Sequence, residues 1–255
     1  MLRVGDVPSK GLSSRPLPGW KTQRIHHFLS ALEENYFYTL EWAVEVVDIR
    51  EQFPLPLEAT VAIAEQHGIA HPPKNKAPEV MTSDFLITIR NDDKLVDQVR
   101  TIKPAKDLAS KRTLEKLELE RRYWKAQNID WRIVTENEIS RPLAENVKWV
   151  HPFRNLRDHP GLTEKAVQRI EQVLAQEVRG GTLPLSTIAT KCDDLLGQPP
   201  GASLTVVRHL LATRRWTTDM SIPIDPSKPV PLAPTQPITS EEHHGVIYQL
   251  ASGMA

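Results

Sequence analysis

Apolar side chains recur along this chain at two different periods. From Arg24 to Leu40 there is neither proline nor glycine, and Phe28, Leu29, Leu32, Tyr36, Phe37 and Leu40 fall at helical spacing. This predicts a helix over 24–40. Glu33 sits between Leu29 and Phe37 inside the apolar stripe, and a carboxylate in that position needs a partner, whereas Glu34 turns away. Val46–Arg50 reads as a strand stopped by Phe53-Pro54-Leu55-Pro56, and Glu58–His67 as a short helix closed by Gly68. Phe85–Ile89 is apolar and partly β-branched, Asn91-Asp92-Asp93 has turn chemistry, and Leu95–Ile102 follows, which predicts an antiparallel hairpin. Thr101 and Lys103 then share one strand face. Ser110–Gln127 is a helix offering Leu114, Leu117, Tyr123 and Trp124 for burial, and Trp131–Thr135 is a further strand. Helix, three strands, helix and strand in that order describe a compact α/β unit.

A second unit begins after Arg141-Pro142. Leu162–Val178 is a helix capped by Thr163 and stopped by Gly180-Gly181. Leu185–Leu196 places Ile188, Cys192 and Leu195 on one face, and Ser203–Thr213 does the same with Leu204, Val207, Leu210 and Leu211. Trp216–Met220 and Ile222–Ile224 read as short strands, so three helices and a hairpin suggest a mainly helical, winged-helix-like domain. The expected boundaries are residues 1–150 for the α/β domain, with 1–20 an extended arm, 151–225 for the helical domain, and 226–255 for a proline-rich tail whose end, from Ser240, is a short helix or disordered.

Composition narrows the partners. Lys+Arg and Asp+Glu both number 32, so nucleic acid would have to be held by a local patch rather than by net charge. Within the Ser110–Gln127 helix, Arg112, Lys116 and Arg122 are candidate phosphate contacts, although a solvated face with pairs such as Glu118 and Arg122 explains them equally well. Arg208, Arg214 and Arg215 are the corresponding candidates in the helical domain; Asp193 and Asp194 oppose them, and protein docking is as good a use for that surface. The single Cys192 excludes an internal disulfide and a multi-cysteine zinc site, suits a reducing compartment, and is expected to pack. No stretch has the apolar length of a signal peptide or a membrane span, so the expectation is a cytoplasmic protein with no membrane partner.

The candidate chemistry gathers between Glu33 and Lys103. Two carboxylates, Glu33 and Asp84, can hold magnesium, a hard cation that keeps several waters beside one or two carboxylates and a substrate phosphate. Lys103 adds a compact positive charge for the phosphate or the attacking water. Spacing alone is weak support, because an aspartate followed at a distance by a lysine is common. Placement strengthens it: Glu33 interrupts an apolar stripe, and the other two border apolar strands. Glu41, at the helix end, competes with Glu33 as the first acid. Glu51 and Gln52 suit a fold or DNA-contact role better than metal binding. His26 and His27 are adjacent and point apart, unlike helical metal pairs.

Several runs resemble one family: His26-His27-Phe28-Leu29-Ser30-Ala31-Leu32-Glu33, Leu40-Glu41-Trp42, Asp48-Ile49-Arg50-Glu51-Gln52-Phe53-Pro54-Leu55, Ser83-Asp84-Phe85-Leu86, Lys103-Pro104-Ala105, and Arg112 through Trp124. Over about residues 20–150 the chain resembles the TnsA endonuclease subunit of heteromeric bacterial transposases. That resemblance implies a restriction-endonuclease-like domain with a mixed sheet, followed by a winged-helix-like domain. It implies magnesium-dependent cleavage of the 5′ transposon ends, with manganese able to substitute, beside a TnsB-like transposase and a TnsC-like ATP-dependent regulator on DNA. It also implies Glu33 and Asp84 as acidic active-site and metal-binding residues and Lys103 as the catalytic lysine. The broader nuclease motif has an acid two residues before the lysine; here it is Thr101, a candidate for orienting water or metal, with the Ile102 carbonyl an alternative ligand. Two other readings stand beside this one, a self-sufficient restriction or resolvase-type nuclease and a DNA-binding adaptor with a degenerate nuclease domain.

Overall fold

The computed structural model describes residues 16–74 and 77–235. The expected arm up to residue 15 and the tail beyond 235 lie outside the described residues. The chain divides into two compact units, Met1–Lys148 and Trp149–Ala255.

The first unit opens with a small hairpin, β1 (Leu17–Pro18), in the expected arm, against β2 (Ile25–His26), where the expected helix would already have begun. Gly19 is required at this turn, because a Cβ there would lie 2.5 Å from Thr22 Oγ1 and 2.7 Å from His26 Nε2. Helix α1 runs only over Ala31–Trp42, since Ser30 is extended and caps it, its hydroxyl accepting the Glu33 N–H. β3 (Val46–Pro54) leads through Leu55 and Pro56 into α2 (Leu57–His67), closed by left-handed Gly68. A short pair, β4 (Pro73–Lys74) and β5 (Ala77–Pro78), precedes the central hairpin β6 (Thr82–Asn91) and β7 (Lys94–Ile102), whose two-residue loop is Asp92-Asp93. A 3-10 turn at Ala105–Ala109 follows, then α3 (Lys111–Ala126), β8 (Asp130–Val134) and α4 (Arg141–Val150).

The main sheet has the order β3-β6-β7-β8, antiparallel except for the parallel pair β7 and β8. Both of its faces are covered. Leu86 of β6 and Val99 of β7 cluster with Leu55 and with Trp124 of α3. Phe85 meets Phe28 and Tyr36 beside α1, with ring centroids 6.0 and 5.3 Å away.

The second unit is built on α5 (Glu164–Glu177), capped by Thr163 as expected, α6 (Leu185–Leu196) and α7 (Ala202–Ala212). Ile170, Leu174, Leu185, Cys192, Leu210 and Trp216 are among its fully buried side chains. Leu195, expected inside, is 62% exposed, and in the first unit Leu114 is likewise largely outside. The expected hairpin over Trp216–Ile224 does not form. The backbone turns at Asp219, which accepts from the Ser221 N–H and hydroxyl, and β9 (Trp216–Thr217) pairs instead with β10 (Ala233–Pro234). Residues 226–235 are therefore part of this unit rather than a free tail: the Pro226 and Lys228 carbonyls accept from the Ser186 and Leu185 N–H groups, which the start of α6 leaves without helical partners. Among the described residues no helix is long and apolar enough to cross a membrane.

Candidate active site at the splayed strand ends

The register of β6 and β7 ends at Phe85↔Arg100, while β7 continues beside β8 through Ile102↔Val134. Where β6 and β7 part, side chains take over from the backbone ladder. Asp84 Oδ2 accepts the Ile102 N–H at 2.7 Å and the Lys103 ammonium at 3.1 Å. Glu33, at the third position of α1, faces the same place. Its Oε1 accepts from the Ser30 hydroxyl at 2.9 Å and its Oε2 from the Leu29 N–H at 3.0 Å. Ser30 and Glu33 thus form a reciprocal helix cap, which fixes the carboxylate without neutralising it. Gln52 links α1 to β6, donating to Glu33 Oε2 at 3.4 Å and accepting from Thr82 Oγ1 at 3.0 Å, from a backbone with φ +49° inside β3. Left-handed backbone in a non-glycine strand residue is costly and concentrates at working sites.

Glu33, Asp84 and Lys103, expected together from the sequence, are brought together here. Burial raises the Glu33 pKa, the nearby Asp84 charge adds to the rise, and the Leu29 and Ser30 bonds and Lys103 oppose it. For Lys103, burial works against the ammonium, but Asp84, Glu120 and Glu33 outweigh it and hold its pKa above the ordinary value. Lys103 is therefore a fixed positive charge at neutral pH.

Glu120 of α3 belongs to this site and was not singled out in the sequence. It is 3% exposed, and its Oε1 accepts from Ser83 Oγ at 2.6 Å and Thr101 Oγ1 at 2.5 Å. Burial pushes its carboxyl up to about 6, against the pull of the two hydroxyls and of the Trp131 indole and with a contribution from Asp84. The available signal was the one used for Glu33: Glu120 lies between Leu117 and Trp124 on the buried face of its helix. The Thr101 hydroxyl is accordingly turned toward Glu120, and it also accepts from Trp131 Nε1 at 3.1 Å.

Glu41 holds a different task, its carboxylate accepting the Trp20 N–H and, at 3.4 Å, that of Lys21. His26 is buried between Glu51 at 2.7 Å and Thr22 at 2.6 Å, and His27 is exposed. Of the candidate DNA contacts, Arg112 donates to the Ala70 carbonyl and Glu115, and Arg122 pairs with Glu118 and His67, whereas Lys116 is exposed. In the second unit Arg215 pairs with Glu164 and Glu171, Arg214 has φ +59°, and Arg208 lies over the rings of Trp149 and Phe153 at 4.4 and 4.7 Å.

Among the described residues no three His, Cys, Asp or Glu side chains converge into a complete metal cage. The donor set nevertheless suits magnesium. Asp84 and Glu33 offer hard carboxylate oxygens, and Oδ1 of Asp84 takes part in neither of its bonds to Ile102 and Lys103, so an ion sharing its shell with water and phosphate fits.

A mixed four-stranded sheet between helices, with acids and a lysine at its parted central strands, defines a nuclease-like α/β protein. The comparisons agree. A family model described as TnsA-like endonuclease N terminal matches residues 44–136, and one described as TnsA endonuclease C terminal matches residues 138–220. The chain is 46% identical over 153 residues to the Transposon Tn7 transposition protein TnsA of Escherichia coli, a match covering 60% of this chain and 55% of that protein. The chain thus spans little more than half the length of that relative, and it belongs to the TnsA endonuclease family. Asp84, Thr101, Lys103 and Glu120 lie inside the N-terminal match, and Glu33 lies before it.

Proposed function

We propose that this protein is the endonuclease subunit of a TnsA/TnsB-type transposase and hydrolyses a phosphodiester at the 5′ ends of the transposon. The observation that carries the reading is the convergence of Glu33, Asp84 and Lys103 where β6 and β7 part. Asp84 and Glu33 would hold magnesium, with manganese able to substitute; the ion supplies charge neutralisation and an activated water when bound. Lys103, kept charged, holds a phosphoryl oxygen or orients the attacking water. Ile102 and Asp84, tied at 2.7 Å, keep the strand end in position.

DNA would be gripped electrostatically, by Arg112, Lys116 and Arg122 on α3 and by Arg208, Arg214 and Arg215 on the second unit, which we read as winged-helix-like from its three helices and short strand pair. Partners of this reading are a TnsB-like transposase and a TnsC-like ATP-dependent regulator, in the cytoplasm. Thr101 keeps a degenerate nuclease domain conceivable; Glu120, reaching the same place from α3, weakens that alternative.

The test is cleavage of a duplex carrying a transposon end, with partner transposase and magnesium. Asp84→Ala and Lys103→Ala are each expected to abolish 5′ cleavage while leaving the fold and partner binding intact. Undiminished cutting by either variant contradicts the assignment. Calorimetry that detects no magnesium binding, with or without DNA, favours the adaptor reading.

A further inference from the structure

Below Asp84 and Lys103 runs a chain of four hydrogen bonds whose direction is settled by chemistry. Trp124 Nε1 donates to Ser83 Oγ at 2.7 Å, and Trp131 Nε1 donates to Thr101 Oγ1 at 3.1 Å. An indole N–H can only donate, so each hydroxyl must accept from its tryptophan and is left to point its own hydrogen elsewhere. Both hydrogens go to the same oxygen, Glu120 Oε1. Ser83 immediately precedes Asp84 on β6, and Thr101 lies two residues before Lys103 on β7. Glu120 therefore joins the two strands just where their backbone ladder stops, and the Trp131 indole favours the Glu120 carboxylate directly as well as through Thr101.

We propose that Thr101 and Trp131, with Ser83 and Trp124 as the matching arm, are positioning residues that set the spacing of Asp84 and Lys103 through Glu120. The proposal rests on the nuclease reading above. Thr101 is then not a ligand standing in for a missing acid: its hydroxyl is spent on Glu120, and its contribution is to the geometry of its neighbours. The two arms are equivalent in form, an indole, a hydroxyl and the shared carboxylate, and each fixes one of the strands that bear the site. Without the Thr101 hydroxyl the β7 end loses its hydrogen bond to Glu120, while Asp84 still contacts Ile102 and Lys103.

The experiment compares wild type with Thr101→Val, Thr101→Ser and Trp131→Phe in the full chain. Three readouts are taken: manganese binding by calorimetry, 5′ cleavage of an end-containing duplex with partner transposase, and the indole N–H resonances. Loss of an outer partner of a metal site typically weakens metal affinity or activity by roughly ten- to a hundredfold. Thr101→Val and Trp131→Phe are expected to weaken manganese binding or the saturated cleavage rate by about tenfold, with duplex affinity unchanged, and Thr101→Ser to restore wild-type behaviour. In Glu120→Gln the Trp124 and Trp131 indole resonances are expected to move together and the other tryptophans to stay. Trp131→Phe retains the ring and serves if Thr101→Val fails to fold. The proposal is overturned if both variants bind manganese and cleave as wild type does, if Thr101→Ser is as impaired as Thr101→Val, or if only one of the two resonances responds to Glu120→Gln. A wild-type protein that neither binds manganese nor cleaves overturns the nuclease reading, and the proposal with it, whereas failure confined to the variants leaves that reading standing.

Discussion

Two glutamates at the candidate site, Glu33 and Glu120, have structural duties that substitution can separate from their proposed roles. Glu33 closes a reciprocal cap with Ser30 and also accepts the Leu29 N–H. Glu33→Gln keeps an acceptor for that N–H, so it is expected to remove cleavage while changing stability little. Glu33→Ala should remove cleavage and in addition cost about 1 kcal/mol, a typical value for a lost cap. Denaturant titration beside the cleavage assay checks both; equal stability of the two variants would show that the cap is not worth what the geometry implies. For Glu120 the discriminating variable is pH. Its folded pKa is raised from an ordinary 4.5 to about 6 by burial, so folding favours its protonated form. That contribution to stability is complete below the unfolded value and is lost as pH rises through the folded one. The difference in unfolding free energy between wild type and Glu120→Gln is expected to shift by on the order of 2 kcal/mol between pH 4.5 and 7 in chelator, with wild type the loser at pH 7. A difference that stays flat across this range contradicts the raised pKa.

At the scale of elements, what the sequence made legible was governed by local rules. The central hairpin was readable because its apolar runs flank a polar turn that needs left-handed backbone, which Asp92 adopts at φ +51°. The cap of α5 and the whole extent of α6 were readable from Thr163 and from Gly197. The start of α1 was misplaced although Ser30 and Glu33 carry a recognisable capping signature, because the apolar spacing continues upstream into Phe28 and Leu29. Helix α4 was passed over because Arg141-Pro142 looked like a break, whereas proline is well tolerated in the first turn of a helix. Non-local pairings were not legible at all: nothing near Trp216 announces that its strand partner is Ala233–Pro234. Within the site, placement made Glu33, Asp84 and Lys103 plausible and the family resemblance singled them out, whereas Glu120 was hidden among the ion-pairing residues Glu118, Arg121 and Arg122. The packed tail has a consequence of its own. Ending the chain after Asp225 removes two carbonyl acceptors from the start of α6 and the partner of β9, and is expected to lower the unfolding temperature of the second unit by several degrees; an unchanged temperature would make residues 226–235 dispensable.

For the whole molecule, balanced charge means that DNA affinity must come from a few local cations. On α3 these differ in availability. Arg112 and Arg122 are already tied to carboxylates, whereas Lys116 is exposed. Lys116→Ala is therefore expected to lower the slope of log affinity against log salt by about 1, and Arg122→Ala to change it less. A salt titration of duplex binding distinguishes them, and identical slopes for wild type and Lys116→Ala would remove Lys116 from the DNA interface. The central claim, that Glu33, Asp84 and Lys103 cut the 5′ strand of a transposon end, is tested most directly by one measurement. The protein is reconstituted with its partner transposase on an end-labelled duplex in magnesium, and the cleaved strand is mapped for wild type and Asp84→Ala. The account predicts a 5′-strand cut with wild type and only the partner's 3′ cut with the variant; a 5′ cut that survives the substitution contradicts it.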